Sequence, residues 1–126
     1  MWENMPNIQK KIQTKLTKGL LDLIILQLLD ESPLYGYKIM ATIRKSYGIL
    51  VGASTIYPIL NTLETNRLVK SEWNTMEGHP RRIYQITSDG RNLLQFSKCS
   101  LNQICQKIDN AHKNLDEHVK IGLFID

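Results

Sequence analysis

The chain has few of the residues that catalysis and metal binding require. It contains three histidines and two cysteines among 126 residues, and these do not stand at the spacing that metal ligands need. No glycine-rich phosphate loop is present, and no serine–histidine–aspartate arrangement is indicated. We therefore expect neither an enzyme nor a bound metal or cofactor.

The chain also lacks an apolar segment long enough to cross a bilayer. The run from Leu20 to Leu29 is strongly apolar, but Asp22 and Gln27 interrupt it and it is too short to span a membrane. No signal peptide is visible, so we expect a soluble, cytoplasmic protein without a membrane partner.

The two cysteines, Cys99 and Cys105, are six residues apart. On one helix this separation corresponds to a rise of about 9 Å, which is too long for a disulfide between them. We expect both to be reduced, half-buried structural residues. A redox or inter-subunit role is the open alternative.

Positive charge is concentrated in two segments, although the net charge is only +4. Residues 1–18 hold four lysines and one glutamate, and residues 38–82 hold seven basic and three acidic residues. A basic central segment suits a polyanionic partner. With so mild a net charge, a solvated surface is the alternative.

The first 16 residues predict a short amphipathic helix or arm. Ile8, Ile12 and Leu16 repeat every four residues, with lysines between them. The apolar stripe requires a partner surface. The lysines either lie near a phosphate backbone or belong to a solvated arm.

Two further helices are expected before the centre of the chain. Thr17 can cap the second helix. The apolar residues between Leu20 and Leu29 occupy nearly all sides of that helix, so the helix should lie in the core. A third helix opens at Tyr35 and runs to about Tyr47, and a loop follows it.

Residues 54–68 predict an amphipathic helix with a distinctive polar face. Its apolar residues share one side at three- and four-residue spacing: Ile56, Ile59, Leu60 and Leu63. The opposite face carries Ser54, Thr55, Tyr57, Pro58, Asn61 and Thr62. Because this face has no carboxylate before Glu64, it can donate to phosphates and reach base edges without repelling DNA. An ordinary core-packed helix with a polar outside is the alternative.

After Leu68 the apolar residues recur every two residues instead of about every 3.6 residues. This pattern predicts a β-hairpin with strands at 69–74 and 81–86. Two helices, a turn and a polar-faced helix are in helix-turn-helix order, and a hairpin directly after them is a wing. His79, Arg81 and Arg82 stand together where the second strand begins. They could reach a minor groove or neutralise phosphates; the alternative is a hairpin with solvent-exposed arginines.

A long helix follows an N-cap cluster at residues 87–90 and should run to about His118. Its apolar residues step by three and four in the manner of a coiled-coil seam: Leu101, Ile104, Ile108, Ala111 and Leu115. So narrow an apolar stripe is marginal on a lone helix. The simplest partner is the same helix of a second copy, and packing on its own domain is the alternative.

Several short motifs follow one another along residues 18–90. They are Lys18-Gly19, Leu34-Tyr35-Gly36-Tyr37, Ser54-Thr55-Ile56-Tyr57-Pro58-Ile59-Leu60, Leu63-Glu64, Trp73 and Arg82-Ile83-Tyr84-Gln85-Ile86-Thr87-Ser88-Asp89-Gly90. In this order and spacing the chain resembles the PadR family of winged-helix transcriptional regulators. The short, single C-terminal helix is similar to that of the family's smaller subgroup.

The resemblance implies a homodimer that binds a palindromic operator, usually as a repressor. It implies that Tyr37, Ser54, Thr55, Tyr57 and Pro58 face the DNA. Members often have glycine at the position of Asn66, and asparagine tolerates the same left-handed conformation. Some small members bind planar aromatic drugs through a tryptophan in the last helix; the last helix here has none, so we do not expect a flat aromatic ligand. A small-molecule effector of unknown identity stays an open alternative.

We therefore expect a mainly α fold with a two-stranded β-hairpin wing. An N-terminal arm (residues 1–16) would precede a winged helix-turn-helix domain (17–88) and a long C-terminal dimerisation helix (89–126). The function expected is sequence-specific binding to double-stranded DNA. The alternatives are a winged-helix protein–protein docking module, or the same regulator with ligand or redox sensing.

Each candidate DNA contact has an expected role. Ser54, Thr55 and Asn61 would lie nearest base edges, with Pro58 and Thr62 on the same face. Phosphate contacts are expected from Tyr37, Lys38 and Tyr57. The wing residues Arg81, Arg82 and His79 would bind the backbone or the minor groove.

Overall fold

The computed structural model describes residues 7–76 and 78–125, with side chains in the last helix described as far as Ala111. The elements in chain order are α1 (Asn7–Gly19), α2 (Leu21–Glu31), β1 (Leu34–Tyr35), α3 (Gly36–Tyr47), α4 (Ala53–Thr65), β2 (Val69–Asn74), β3 (Arg81–Ile86) and α5 (Ser88–Ile125). The expected fold class is confirmed: helices dominate, and β2 and β3 form the hairpin. None of the helices in the described ranges is long and apolar enough to cross a membrane.

Two compact units divide the chain after Leu94, within α5. The first unit holds α1 to α4, the sheet and the start of α5. Helix α2 lies at the centre of its core, as the near-continuous apolar run predicts: Ile25 and Leu26 are fully buried. Ile39 and Ile43 of α3, and Ile56 and Leu60 of α4, pack into the same core.

The sheet has one strand more than the sequence indicates. Strand β1 pairs antiparallel with β3, so that Leu34 lies opposite Tyr84 and Tyr35 opposite Ile83. Strand β3 is therefore the central strand, with β2 on its other side. Two residues are too few to show an alternating pattern, and the sequence instead predicts that Tyr35 opens the third helix.

The predicted start of α2 is wrong. Thr17 does not cap it; this residue lies inside α1, where its hydroxyl donates to the carbonyl of Gln13 at 2.8 Å. The break between the helices falls at Leu20, which has no side-chain cap. Threonine can satisfy its hydroxyl by bonding back within a helix, so its presence alone does not mark a helix start.

Two other predicted boundaries also need correction. Helix α4 ends at Thr65, three residues before the predicted end, and the left-handed residue of the following turn is Arg67 with φ 62°, not Asn66 with φ −84°. Helix α5 continues past His118 to Ile125. The cysteines were expected to be half-buried, but both are exposed.

The predicted N-cap of α5 is confirmed. The Thr87 hydroxyl accepts a hydrogen bond from the Gly90 amide at 3.0 Å and donates to the Leu68 carbonyl at 3.0 Å. Gly90 is buried against that carbonyl, and a Cβ at this position would overlap its oxygen and the Ile86 side chain. The start of α5 therefore packs directly on the turn that leads into β2.

Gly90→Ala should lower the free energy of unfolding by about 2–3 kcal/mol, because the backbone at Leu68 must move to admit a methyl group. Gly19→Ala is the matched control, since a Cβ at Gly19 meets nothing within 4 Å. Urea denaturation followed by circular dichroism measures both. Equal stability of the two variants would contradict the close packing at Gly90.

Candidate nucleic-acid interface

Helix α4 presents the polar face that the sequence predicts. Ile56, Leu60 and Leu63 are buried beneath it. The side chains that are exposed on the opposite face are Ser54, Thr55, Tyr57, Pro58, Asn61 and Thr62. The Thr62 hydroxyl donates to the Pro58 carbonyl at 3.0 Å, so it is partly occupied within the helix.

The N-terminus of α4 is suited to an anion. The first turn, which lies wholly in the described part of the chain, has no acidic residue and no side-chain cap at Gly52. Its backbone N–H groups carry the positive end of the helix dipole. Ser54 and Thr55 are exposed in this turn, so hydroxyls and amides are available together to one phosphate.

Tyr57 connects α4 to the start of α3 by packing on a glycine. A Cβ at Gly36 would lie 2.5 Å from the Tyr57 hydroxyl oxygen and 2.8 Å from its ring carbon Cζ. Only a residue without a side chain permits this approach. Tyr57 thereby lies near Tyr37, another expected phosphate contact, and Lys38 beside it is exposed.

Arg82 is bound within the protein. Its Nη2 pairs with Glu64 Oε1 of α4 at 2.9 Å, and its Nε donates to Ser71 Oγ of β2 at 2.6 Å. The Ser71 hydroxyl in turn donates to Glu64 Oε2. The C-terminal end of α4 is thus connected to both strands of the wing, and the charge of Arg82 is partly neutralised by Glu64. A direct contact of Arg82 with DNA stays a prediction.

Arg81 has different surroundings from those of its neighbour. Its Nη1 donates to the Tyr37 hydroxyl at 3.0 Å. Its guanidinium carbon lies 5.2 Å from the ring centroid of Tyr37 and 5.8 Å from that of Tyr35. The two rings stack nearly parallel, 5.8 Å apart. Arg81 is exposed, so its remaining donors can reach a partner.

A cleft of about 370 Å³ lies between the start of α3, helix α4 and the wing. It is lined by Tyr35, Gly36, Tyr37, Tyr57, Asn61, Trp73, Pro80, Arg81, Arg82 and Tyr84. Five of the lining side chains are aromatic or amide groups that lie outside β3, the strand of the two arginines. Residues of α4 and residues of the wing therefore line the same cleft.

Tyr84 forms the floor of this surface. Burial raises the pKa of its phenol above the ordinary value of 10.0, and the nearby Arg82 opposes that rise. The phenol is consequently neutral at any physiological pH. The guanidinium of Arg82 lies 6.0 Å from its ring centroid.

Several participants were not foreseen from the sequence as site residues, among them Tyr35, Asn74 and Glu64. Asn74 donates to the Tyr35 hydroxyl at 2.7 Å across 39 residues of chain. Glu64 was noticed only as the first carboxylate of the polar helix. A contact between distant segments leaves no periodic signal, so only the strand register could have revealed them.

The remaining predicted residues are less closely grouped. His79 is exposed in the hairpin loop. On α5, Leu101 is half-buried, while Ile104, Ile108 and Ala111 are exposed. Leu115 lies outside the described side chains. Within the described residues, no group of three His, Cys, Asp or Glu side chains could hold a metal ion.

A helix-turn-helix whose second helix presents a polar face, followed by a hairpin wing, defines the class of winged-helix DNA-binding proteins. The model of the family described as "Transcriptional regulator PadR-like family" matches residues 25–96, more than half of the chain. The chain therefore belongs to the PadR-like family of transcriptional regulators, whose members bind DNA and are not enzymes.

Relatives agree with this assignment. The chain is 32% identical over 62 residues to the Mycobacterium tuberculosis protein named transcriptional regulator Rv3488, an alignment that covers 49% of this chain and 58% of that one. A PadR family transcriptional regulator from Eggerthella lenta is 29% identical with a TM-score of 0.74, over 82% of this chain and 91% of that chain. A transcriptional regulator from Clostridium thermocellum is 31% identical with a TM-score of 0.65, over 76% and 95%.

The Glu64–Arg82 pair should contribute to stability as well as to wing position. A double-mutant cycle with Glu64→Gln and Arg82→Gln should give a coupling energy of about 0.5–1 kcal/mol, because both groups are only partly exposed and share Ser71. The control is the Asp30–Arg91 pair, whose arginine is 57% exposed and whose coupling should be smaller. Coupling no larger than in this control, measured by denaturant unfolding, would contradict the connection.

Proposed function

We propose that this protein is a homodimeric repressor that binds a palindromic operator with α4 in the major groove. The observation that carries the proposal is the exposed, hydroxyl- and amide-rich face of α4. Asn61 can bond N6 and N7 on the major-groove edge of an adenine, and short hydroxyls at Ser54 and Thr55 can bond either bases or phosphates. Membership of the family supports DNA binding, and repression follows from the resemblance.

The exposed apolar side chains support a dimer. Ile104 and Ile108 of α5 are 54% and 66% exposed, although they occupy seam positions. Helix α1 has a second such stripe, with Ile8, Ile12 and Leu16 all more than half exposed. Apolar stripes left in water favour association, and a second copy of the same chain is the partner that a self-complementary seam requires.

A two-fold axis would set the spacing of the half-sites. In helix-turn-helix dimers, the recognition helices enter successive major grooves about 34 Å apart. We expect the operator to be an inverted repeat with half-sites about one helical turn apart. The wing would then lie along the backbone beside each half-site.

The composition of α4 disfavours a protein–protein docking module. A docking face requires large exposed apolar residues near its centre. The exposed residues of α4 are mainly hydroxyl and amide residues, with one alanine, one proline and one tyrosine. Regulation of DNA binding by a ligand or by oxidation is a separate question, and the exposure of Cys99 and Cys105 is compatible with it.

Selection of bound duplexes from a random pool tests the proposal. The wild-type protein should enrich an inverted repeat, and Asn61→Ala should change the enriched base at symmetric positions, because each lost bidentate contact costs about 1–3 kcal/mol of discrimination. Asn92→Ala removes an exposed amide of α5 and serves as the control with an unchanged motif. Failure of the wild-type protein to enrich any motif would contradict sequence-specific binding.

The dimer is tested by placing a charge in the seam. Ile108→Glu should lower the mass in solution from twice 14.6 kDa toward the monomer value, because two carboxylates would be buried together. Gln106→Glu introduces the same charge on an exposed position outside the seam and should leave the dimer intact. Analytical ultracentrifugation measures both, and a dimeric Ile108→Glu protein would rule out this seam.

A further inference from the structure

The two neighbouring arginines of β3 point to opposite faces of the sheet, because side chains alternate along a strand. Arg82 lies opposite Trp73 and Arg81 opposite Asn74. Arg82 shares its face with the buried Tyr84 and binds Glu64. Arg81 lies on the other face, and among residues 7–76 and 78–111 no carboxylate is within ion-pair distance of it. Within these ranges, Arg81 is therefore the arginine of β3 whose charge no carboxylate neutralises.

Tyr37 and Arg81 present two donors at one point of the surface. The Tyr37 hydroxyl accepts from Arg81 Nη1, which leaves its own proton free to donate. The guanidinium of Arg81 has four further N–H groups that Tyr37 does not occupy. A hydroxyl that accepts a charge-assisted bond is polarised and becomes a better donor itself. Both side chains are exposed, so one anionic oxygen pair can receive bonds from both.

Two residues hold this pair in position. The Tyr35 ring lies under Arg81 and parallel to Tyr37, which restricts the directions that the guanidinium can take. Asn74 donates to the Tyr35 hydroxyl, and its side-chain oxygen accepts from the Met76 amide at 3.1 Å. Asn74 thus connects the first turn of the hairpin loop to the stacked rings.

We infer that Tyr37 and Arg81 form a joint site for one backbone phosphate of the operator, and that Tyr35 and Asn74 are its positioning residues. The inference rests on the proposed DNA binding and makes it more specific. It assigns Arg81 to the phosphate backbone at the junction of α3 and the wing, and not to the minor groove. Guanidinium and hydroxyl donors at hydrogen-bond distance from each other suit a phosphodiester, whose two free oxygens share one negative charge.

The test uses the selected operator with a neutral methylphosphonate at each phosphate in turn. For the wild-type protein, one position in each half-site should weaken binding about 10-fold or more, the loss of a charge-assisted hydrogen bond. Tyr37→Phe and Arg81→Ala should each reduce the penalty at that same position, because each variant leaves only one of the two donors there. Arg81→Ala should also reduce the salt slope by about one unit.

Positioning by Tyr35 is separated from a general structural role by its own readout. Tyr35→Leu, which leaves the net charge unchanged, should reduce the loss of affinity that a methylphosphonate causes at the same phosphate. Tyr35→Phe keeps the ring and should restore most of that loss. Circular dichroism establishes that the variants are folded. Lys70→Ala is the charge control, since Lys70 is exposed on the same strand as Asn74 and its loss should leave that penalty intact.

If the Tyr37 and Arg81 variants changed the methylphosphonate penalty at two different phosphates, the joint site would be overturned. Loss of binding on replacing adenines by 2,6-diaminopurine, seen in the wild type but not in Arg81→Ala, would place Arg81 in the minor groove and also overturn it. In either case specific binding by the wild-type protein leaves the proposed function standing. If the wild-type protein binds no duplex specifically, both proposals fail together.

Discussion

Pairing of β3 with strands on both of its sides is the interaction on which the candidate DNA-binding surface depends. Strand β1 directly precedes α3, so its two residue pairs with β3 bring the start of α3 to the wing. Strand β2 directly follows the α4 turn, and six pairs with β3 bring the end of α4 to the same strand. Tyr84, buried at the middle of β3, anchors this arrangement in the core.

The alternation of side chains along β3 places the two arginines on opposite faces of the sheet. Arg82 lies on the core side and binds Glu64 and Ser71, so its main contribution is to the position of the wing relative to α4. Arg81 lies on the outer side with two tyrosine rings and is available to an external anion. Two adjacent residues of the same type therefore differ in their contacts, because side chains alternate between the two faces of a strand.

The sequence was most informative where a local pattern repeats. Period two predicted both strands of the hairpin with their correct bounds, helical spacing predicted the buried and exposed faces of α4, and Thr87 predicted the start of α5. It was least informative where the cause is not local. Strand β1 is too short to have a period, Thr17 satisfies its hydroxyl inside a helix, and the bonds of Asn74 with Tyr35 and of Glu64 with Arg82 join residues that only the sheet register brings together. The functional assignment rests on the α4 face, which the sequence revealed, whereas the roles of the two wing arginines required the structure.

The proposed function requires that one surface, made of the α4 face and the wing, recognises a particular duplex. The most direct measurement is fluorescence anisotropy of the protein with DNA from upstream of its own gene and with scrambled DNA, at two salt concentrations. The account predicts tight binding that survives the higher salt on the upstream DNA alone, because base contacts add to the phosphate contacts there. Weak binding to both duplexes, lost together as salt increases, would contradict it and leave only nonspecific electrostatic attraction.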